Sequence, residues 1–220
     1  MVKQILIICL LLFSASSYAC MSPIREDEEN LQYCLDEGHA GSDYAQFMLG
    51  LIYYYGDITD RDYLKSVQWF SKAAEQDFVF AQYNLYVLLS SGDQIPRNVP
   101  LALEWLNRAA EQDYELAQFS LAQRFENGDG LEQSYGKAFE WYMKAAEQGH
   151  PGAQNNLGVM YDAGIGVIKN KARAHMFFYM ASVKNERAAV KNLAVIKNEM
   201  TAQEIKLAGE YAEQWMEEYP

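Results

Sequence analysis

The sequence contains few of the side chains that bind metals or carry redox chemistry. It has 3 cysteines and 3 histidines among 220 residues, and His39, His150 and His175 share no metal-ligand spacing. His150 lies in a Gly-His-Pro loop, which favours a structural role. Phosphate-binding loops, nucleophile elbows and Cys-x-x-Cys pairs are missing as well. We therefore predict no catalytic residue, no metal site and no cofactor, and hence no enzyme.

Positive charge and chain-breaking residues are also scarce. Lysine and arginine together number 18 against 30 aspartates and glutamates, so the net charge is −12. Such a chain is repelled by nucleic acids and by anionic membrane surfaces, and a basic protein is the easier partner to accommodate. With 5 prolines, 14 glycines and half of its residues hydrophobic, the chain is expected to fold around a core rather than to form a low-complexity segment.

Only one stretch of the sequence is long and continuously apolar, and it lies at residues 5–13. Lys3 precedes this stretch, and Ser17-Tyr18-Ala19 after it fits a small-x-small cleavage site. Nine apolar residues are too few to cross a bilayer, which takes ~20. We therefore predict a signal peptide over residues 1–19, export across the inner membrane and a periplasmic location. A short N-terminal anchor is the alternative.

Cleavage after Ala19 would leave Cys20 and Cys34 as the only cysteines of the mature chain. In an oxidising compartment these two residues can form a disulfide, which would stabilise the fold by ~3 kcal/mol in the chain-entropy model. The alternative is a lipid anchor at Cys20, as in bacterial lipoproteins, although Ser17 and Tyr18 depart from the residues usual before a lipidated cysteine. The two hypotheses exclude each other, and the compartment favours the disulfide.

The rest of the sequence repeats every 36 residues. The pair Ala-Gln occurs at Ala45-Gln46, Ala81-Gln82, Ala117-Gln118 and Ala153-Gln154. Leucines follow at Leu49, Leu85, Leu121, Leu157 and Leu193, and glycines at Gly56, Gly92, Gly128 and Gly164. A second set contains Trp69, Trp105, Trp141 and Phe177, followed by Ala73, Ala109, Ala145 and Ala181. A fixed period of this length is typical of repeat architectures.

The repeated positions predict two helices per repeat. Apolar residues spaced by four lie on one face of a first helix, helix A, and the glycine ends it. Helix B follows, with an N-cap expected at Asp62, Asn98, Ser134 and Asn170. A left-handed residue is expected just past helix B at Asp77, Asp113, Gly149 and Asn185. Such helix pairs cannot bury their apolar faces alone, so the pattern indicates an α-solenoid.

The repeat resembles the Sel-one-like repeat family, a relative of the tetratricopeptide repeat. The residues that carry the resemblance best are 137–150, 153–161 and Gly164-x-Gly166-Val167. The resemblance implies an all-α, right-handed α-solenoid with four repeats over residues 45–188. We expect an N-terminal capping helix within residues 20–44 that carries Cys34, and C-terminal capping helices within residues 189–220. A capping box at Thr201 and Glu204 would begin the last helix.

The relation to tetratricopeptide arrays also implies a binding surface, because helix A lines their concave face. Carried over to this chain, the predicted partner-binding residues are Tyr44, Phe47, Leu51, Tyr54, Tyr55, Tyr83, Val87, Phe119, Gln123, Glu126 and Asp162. The implied surface changes from aromatic near the N-terminus to polar and acidic near the C-terminus. The alternative for Phe47, Tyr83 and Phe119 is that they pack between helices.

Three functions follow from these expectations. The first is a periplasmic protein-binding module, monomeric when free, and most specifically an immunity protein that neutralises a secreted antibacterial effector such as a type VI lipase. This role is one that the resemblance implies for small secreted members. The second is an envelope assembly adaptor or scaffold, which a lipidated Cys20 would favour. The third is a cell-wall or antibiotic-degrading enzyme, but the relatives assigned such roles carry a disulfide in each repeat, and these repeats contain no cysteine.

Overall fold

The structure, a computed structural model, describes residues 27–219, so the predicted signal peptide and Cys20 lie outside it. Between those limits the chain forms helices and no strand. The helices are α1 (Asp27–His39), α2 (Asp43–Tyr55), α3 (Tyr63–Glu75), α4 (Val79–Ser91), α5 (Val99–Glu111), α6 (Glu115–Asn127), α7 (Tyr135–Glu147), α8 (Pro151–Ala163), α9 (Lys171–Val183), α10 (Arg187–Asn198) and α11 (Ala202–Glu218). None of these helices is long and apolar enough to cross a bilayer.

The described chain divides within α5 into two compact halves. The N-terminal half ends at Trp105, and the C-terminal half begins at Leu106. In the N-terminal half, α1 packs on α2, and α3 packs on both α2 and α4. In the C-terminal half, α7 packs on α6 and α8, and α9 packs on α8, α10 and α11. Each half is therefore built by packing helices that are close together in the sequence.

The predicted N-caps of the B helices are confirmed. Side-chain oxygens of Asp62, Ser134 and Asn170 each accept a hydrogen bond from the backbone N–H three residues later, at 3.0, 3.4 and 3.0 Å. Asn98 does the same at 3.3 Å. Each bond satisfies one of the N–H groups that a helix start leaves without a partner, and such caps contribute about 1 kcal/mol.

The predicted left-handed residues are confirmed as well. The helix A glycines have φ between 70° and 75°, and Gly149 has φ 85°. Asp77, Asp113 and Asn185 have φ of 62°, 58° and 62°. Asparagine and aspartate tolerate this conformation better than most side chains, which explains why they occur there. The chain can therefore turn sharply after every helix A and every helix B.

The repeated small and aliphatic residues form the core of both halves. The repeated alanines and leucines of the first four A helices, at Ala45 and Leu49 and their equivalents, are buried, and so are the repeated alanines of the B helices, at Ala73 and its equivalents. Gly158 lies where α8 and α9 approach most closely, because a Cβ there would be 2.5 Å from Cε1 of Phe178. Gly50 plays the same part between α2 and α3, where a Cβ would meet the ring of Phe70. The packing of the helix pairs in these two repeats therefore requires glycine, which has no side chain, at these positions.

The glutamine of each Ala-Gln pair ties helices together. Nε2 of Gln46, Gln82, Gln118 and Gln154 donates to the carbonyl oxygen eight residues earlier, at 2.9 to 3.3 Å. Gln148 Nε2 then donates to Gln118 Oε1 at 2.8 Å, and Gln76 does the same to Gln46. These buried amides are paired through a network that repeats with the sequence.

One member of this network differs. Lys184 stands where the earlier repeats have Gln76 and Gln148, and its Nζ donates to the carbonyl oxygen of Gly149 at 2.7 Å. Oε1 of Gln154 is buried and has no hydrogen-bond partner in the described part of the chain. A lysine retains the backbone contact but leaves this one acceptor unsatisfied.

The described chain begins with α1 and ends with α11, which lie in the segments where caps were expected. Cys34 is fully buried on α1, while the disulfide predicted for it involves Cys20, which lies outside the described residues. At the other end the predicted capping box is confirmed: Thr201 Oγ1 accepts from the Glu204 N–H at 3.3 Å, and Glu204 Oε2 accepts from the Thr201 N–H at 2.8 Å. Ala208 and Ala212 of α11 are buried.

Candidate functional site

The residues predicted to bind a partner in the N-terminal half divide into buried and accessible side chains. Phe47 is 2% exposed and packs against Phe70, Phe78 and Phe80, with ring centroids 5.7, 5.1 and 6.2 Å away. Tyr83 is 8% exposed. These two side chains belong to the core, so a partner could reach them only if the helices moved. The members of the predicted set that remain accessible in this half are Tyr44, Leu51, Tyr54, Tyr55 and Val87.

Tyr54 and Tyr55 form an aromatic cluster with Tyr63, which begins α3. The Tyr54 and Tyr55 rings are 5.0 Å apart at 87°, and the Tyr54 and Tyr63 rings are 5.5 Å apart at 68°. Both arrangements are edge-to-face, the geometry that aromatic pairs prefer. All three rings are partly exposed. We call Tyr54, Tyr55 and Tyr63 the tyrosine cluster.

Arg61 holds the tyrosine cluster in place. Its Nε and Nη2 donate to the carbonyl oxygen of Tyr55 at 3.2 and 3.0 Å, and its Nη1 donates to Tyr63 Oη at 3.4 Å. Gln133 makes a similar pair of contacts in the C-terminal half, to the Glu126 carbonyl oxygen at 2.8 Å and Tyr135 Oη at 3.1 Å. Arg61 and Tyr63 were not predicted from the sequence. Their recurrence as Gln133 and Tyr135, at a spacing of two repeats, was the available signal.

The tyrosine cluster has acidic residues near two of its members, Tyr54 and Tyr55. Burial raises the pKa of Tyr54 above its ordinary value, with smaller contributions from Tyr63 and Asp93 that exceed the opposing effect of Arg61. Burial also raises the pKa of Tyr55, with Tyr54 and Asp57 adding to the effect. Tyr54 and Tyr55 therefore keep their phenolic protons at neutral pH and can donate hydrogen bonds, and Asp57 and Asp93 lie close enough to favour a positively charged group.

In the C-terminal half, Phe119 and Glu126 are committed to contacts within the protein. The half-buried Phe119 ring stacks on His150 with centroids 4.2 Å apart. Tyr142 Oη donates to Glu126 Oε2 at 2.5 Å, and burial together with this carboxylate raises the pKa of Tyr142 well above its usual range. Gln123 is exposed and Asp162 is half-buried, so these two remain accessible.

His150 itself has a structural role. Its Nδ1 accepts a hydrogen bond from the Ala153 N–H at 3.1 Å and so caps α8. Burial lowers the pKa of His150 to about 4, against an opposing effect of Glu186 and with a further lowering by Lys184. The imidazole is therefore neutral at physiological pH, as its acceptor role requires.

One apolar position of helix A is accessible in both halves. Leu51 and Val87 are half-buried in the N-terminal half. At the equivalent position of the C-terminal half, Val159 is 39% and Val195 is 61% exposed. Leu51 and Val87 were predicted from the sequence but Val195 was not, although the 36-residue period leads directly to it. Across the side chains of residues 29–219, no three His, Cys, Asp or Glu residues are grouped closely enough to hold a metal ion.

Comparison with known families identifies the repeat. The Sel1 repeat family matches residues 43–78, 79–114, 115–150 and 151–182, which together make up well over half of the chain. None of the curated proteins matches this chain significantly. The match agrees with the helix pairs seen in the structure. Each matched segment begins at the start of an A helix. Three segments end in the turn after a B helix, and the fourth ends in the last turn of α9.

Solved structures show the same α-solenoid of helix–turn–helix repeats. A Sel1 repeat protein from Oxalobacter formigenes is 29% identical with a TM-score of 0.73, over 87% of this chain and 78% of that chain. A protective antigen of uropathogenic Escherichia coli with an SLR fold is 26% identical with a TM-score of 0.56. That match covers 87% of this chain but 49% of the antigen, so this chain spans about half of the antigen's length. An immunity protein from Pseudomonas aeruginosa is 16% identical with a TM-score of 0.47, over 93% of this chain and 78% of that one, a likeness too distant to carry a functional argument.

Proposed function

Because the chain belongs to the Sel1 repeat family, whose repeats form protein–protein interaction modules, we propose that it binds one protein partner through the tyrosine cluster of its N-terminal half. The observation that carries the proposal is the arrangement of Tyr54, Tyr55 and Tyr63, three partly exposed rings fixed by Arg61. Tyrosine is enriched among residues that dominate binding energy at interfaces. Rings that are already held in place lose little conformational freedom on binding.

The partner is a basic protein. The chain carries a net charge of −12, and Asp57 and Asp93 lie near the tyrosine cluster. Charge complementarity of this kind accelerates association and selects against acidic partners. Leu51 and Val87 add accessible apolar surface to the same half. A partner that presents lysine or arginine next to an apolar patch would satisfy both features.

The more specific proposal is that the chain is an immunity protein of the periplasm, which neutralises a secreted antibacterial effector such as a type VI lipase. Its support is the signal-peptide pattern at residues 1–19, the acidic charge and a family whose members are generally scaffolds without catalytic activity. The proposed chain is a monomer when free and a tight inhibitor when bound, and it performs no chemistry of its own.

An envelope adaptor is the second candidate, and one observation favours it. Val159 and Val195 present an exposed apolar surface in the C-terminal half, separate in sequence from the tyrosine cluster. A scaffold needs at least two binding surfaces, whereas an inhibitor of one toxin needs one. Lipidation of Cys20 would fit the adaptor further, because it would fix the chain to a membrane.

The test is capture of partners from the envelope of the native host with the exported chain, tagged at its C-terminus. We expect one stoichiometric secreted protein, lost in the double variant Tyr54→Ser and Tyr55→Ser. The matched control is Tyr135→Ser with Tyr179→Ser, since both of these tyrosines are also exposed. Neutralisation of the captured protein's activity at a one-to-one ratio would support the immunity role. Capture that survives the first variant would reject the tyrosine cluster, and several envelope components would favour the adaptor.

A further inference from the structure

The C-terminal half contains a pocket that no part of the proposed function uses. It has a volume of about 220 Å³ and is lined by residues of α7, α9 and α11 together with Tyr219 just after α11. Met143, Met176 and Trp215 supply apolar walls, and Arg173 supplies a guanidinium group. Its volume is below the roughly 300–1,000 Å³ of pockets that hold drug-sized ligands or cofactors. The pocket therefore suits a small chemical group.

Arg173 belongs to a repeated arrangement but departs from it at this site. The third residue of helix B places a cation over an aromatic ring of helix A: Lys65 over Tyr53 at 5.1 Å, Lys137 over Phe125 at 5.2 Å and Arg173 over Tyr161 at 5.7 Å. Arg173 alone of the three also lies over a second ring, that of Tyr211 on α11, at 5.2 Å. The final helix thus converts a repeated packing contact into the wall of a pocket.

The guanidinium is held in place and retains its capacity for hydrogen bonding. Arg173 Nη1 donates to Tyr161 Oη at 3.4 Å, which is a long bond, and Arg173 forms no ion pair with any residue that the structure describes. Arg173 is exposed, so its guanidinium group is accessible to a ligand. Two flanking rings fix the orientation of its planar group, so little freedom remains to be lost on binding an anion.

The pocket lining also contains a carboxylate. Glu218 lines the pocket and accepts a hydrogen bond from Tyr219 Oη at 3.2 Å, and the same hydroxyl contacts Glu147 at 3.3 Å. These carboxylates disfavour ligands with several negative charges, such as phosphates. A single carboxylate can still pair with the guanidinium fork in a bidentate manner.

We propose that this pocket binds a carboxylate joined to a small apolar group, with the carboxylate on Arg173 and the apolar group against Met143, Met176 and Trp215. Such a group occurs in a free short-chain acid and at the end of a polypeptide with an apolar last residue. The second source also offers a backbone N–H, for which Glu218 is an available acceptor. The site is independent of the tyrosine cluster, because all of its residues lie in the C-terminal half.

Calorimetric titration of the purified chain with three probes tests the proposal. The probes are N-acetyl-alanyl-leucine, its C-terminal amide and hexanoate. We expect saturable binding of the acid. The affinity for the amide should be lower by about tenfold or more, because a charge-assisted bidentate pair would be lost. Tighter binding of the peptide acid than of hexanoate would identify a polypeptide end as the source, and equal binding would identify a free acid.

Variants complete the test. Arg173→Met should abolish binding of the acid, whereas Lys137→Met should leave it unchanged, because Lys137 makes the equivalent cation–π contact but does not line the pocket. Arg173→Lys, which keeps the charge and removes the fork, should weaken binding and protects the test if Arg173→Met fails to fold. The proposal is overturned by equal affinity for acid and amide, by no binding of either acid, or by equal losses in Arg173→Met and Lys137→Met.

Discussion

Replacing Gly158 by alanine should destabilise the C-terminal half, although alanine is the better helix former. The new Cβ would lie 2.5, 2.6 and 3.1 Å from Cε1, Cδ1 and Cγ of Phe178, a side chain that is itself buried. Overpacking of this kind costs about 1–3 kcal/mol, and the gain in helix propensity offsets about 1 kcal/mol of it. We expect a net loss of about 1 kcal/mol in the free energy of unfolding.

Gly209 offers a matched control in the same half. It lies within α11, and a Cβ there would meet no atom within 4 Å. Gly209→Ala should therefore raise the free energy of unfolding by about 0.5–1 kcal/mol, the ordinary propensity gain. The same substitution is therefore expected to lower the free energy of unfolding at Gly158 and to raise it at Gly209, because the local contacts differ.

Urea denaturation followed by circular dichroism measures both effects, with the wild-type chain and the two variants compared at their transition midpoints. A third variant identifies the contact: if the clash is with the Phe178 ring, Gly158→Ala should cost much less in a Phe178→Leu background. The reasoning is refuted if Gly158→Ala stabilises the chain as much as Gly209→Ala does, or if Phe178→Leu leaves the cost unchanged.

Three further predictions concern hydrogen bonds. Lys184→Gln should raise the free energy of unfolding by about 1 kcal/mol, because a glutamine can donate to the unsatisfied Oε1 of Gln154; a midpoint that falls would contradict this. Folding lowers the pKa of His150 to about 4. Its contribution to the free energy of unfolding is therefore complete above pH 6.5, and about 3 kcal/mol of that free energy is lost as pH falls from 6.5 to 4. Denaturation at several pH values should show this loss, and His150→Asn, which can still cap the helix, should reduce it. Thr201→Ala should cost about 1 kcal/mol by opening the capping box with Glu204, with Thr201→Ser as the neutral control in the same assay.

Much of the fold was predictable because the same sequence signal recurs at equivalent positions of several repeats. A single aspartate before an apolar stretch is weak evidence for a helix start, but Asp62, Asn98, Ser134 and Asn170 at one period are strong evidence, and all four cap helices. The same holds for the left-handed residues Asp77, Asp113 and Asn185. Backbone conformation is set by a few neighbouring residues, which a period reveals directly.

The candidate site was harder to predict because exposure depends on exact side-chain direction. Phe47 and Tyr54 were placed on one surface by analogy, yet Phe47 is buried among other aromatic rings and Tyr54 is accessible. A helix turns 100° per residue, so a small error in the assumed orientation exchanges core for surface. The role of the repeated glutamines was also missed, because a hydrogen bond to a carbonyl oxygen eight residues earlier leaves no apolar pattern.

The C-terminal half illustrates a second limit. Lys184 stands where two earlier repeats have Gln76 and Gln148, and Arg173 contacts Tyr211 of α11, a helix outside the four repeats. Periodicity predicts the features that all repeats have in common. Features specific to one protein arise at positions where its sequence departs from the repeat. The 36-residue period alone therefore does not predict the pocket beside α11.

The glutamine network has a consequence for how the chain folds. Its bonds join residues 8, 30 or 35 positions apart, as in Gln118 to Ala110, Gln148 to Gln118 and Lys184 to Gly149. Contacts of such short sequence separation require little loop closure, so folding should be fast and should advance from one helix pair to the next. A chain that emerges from a ribosome or a translocation pore could then complete each helix pair while the residues behind it are still unfolded.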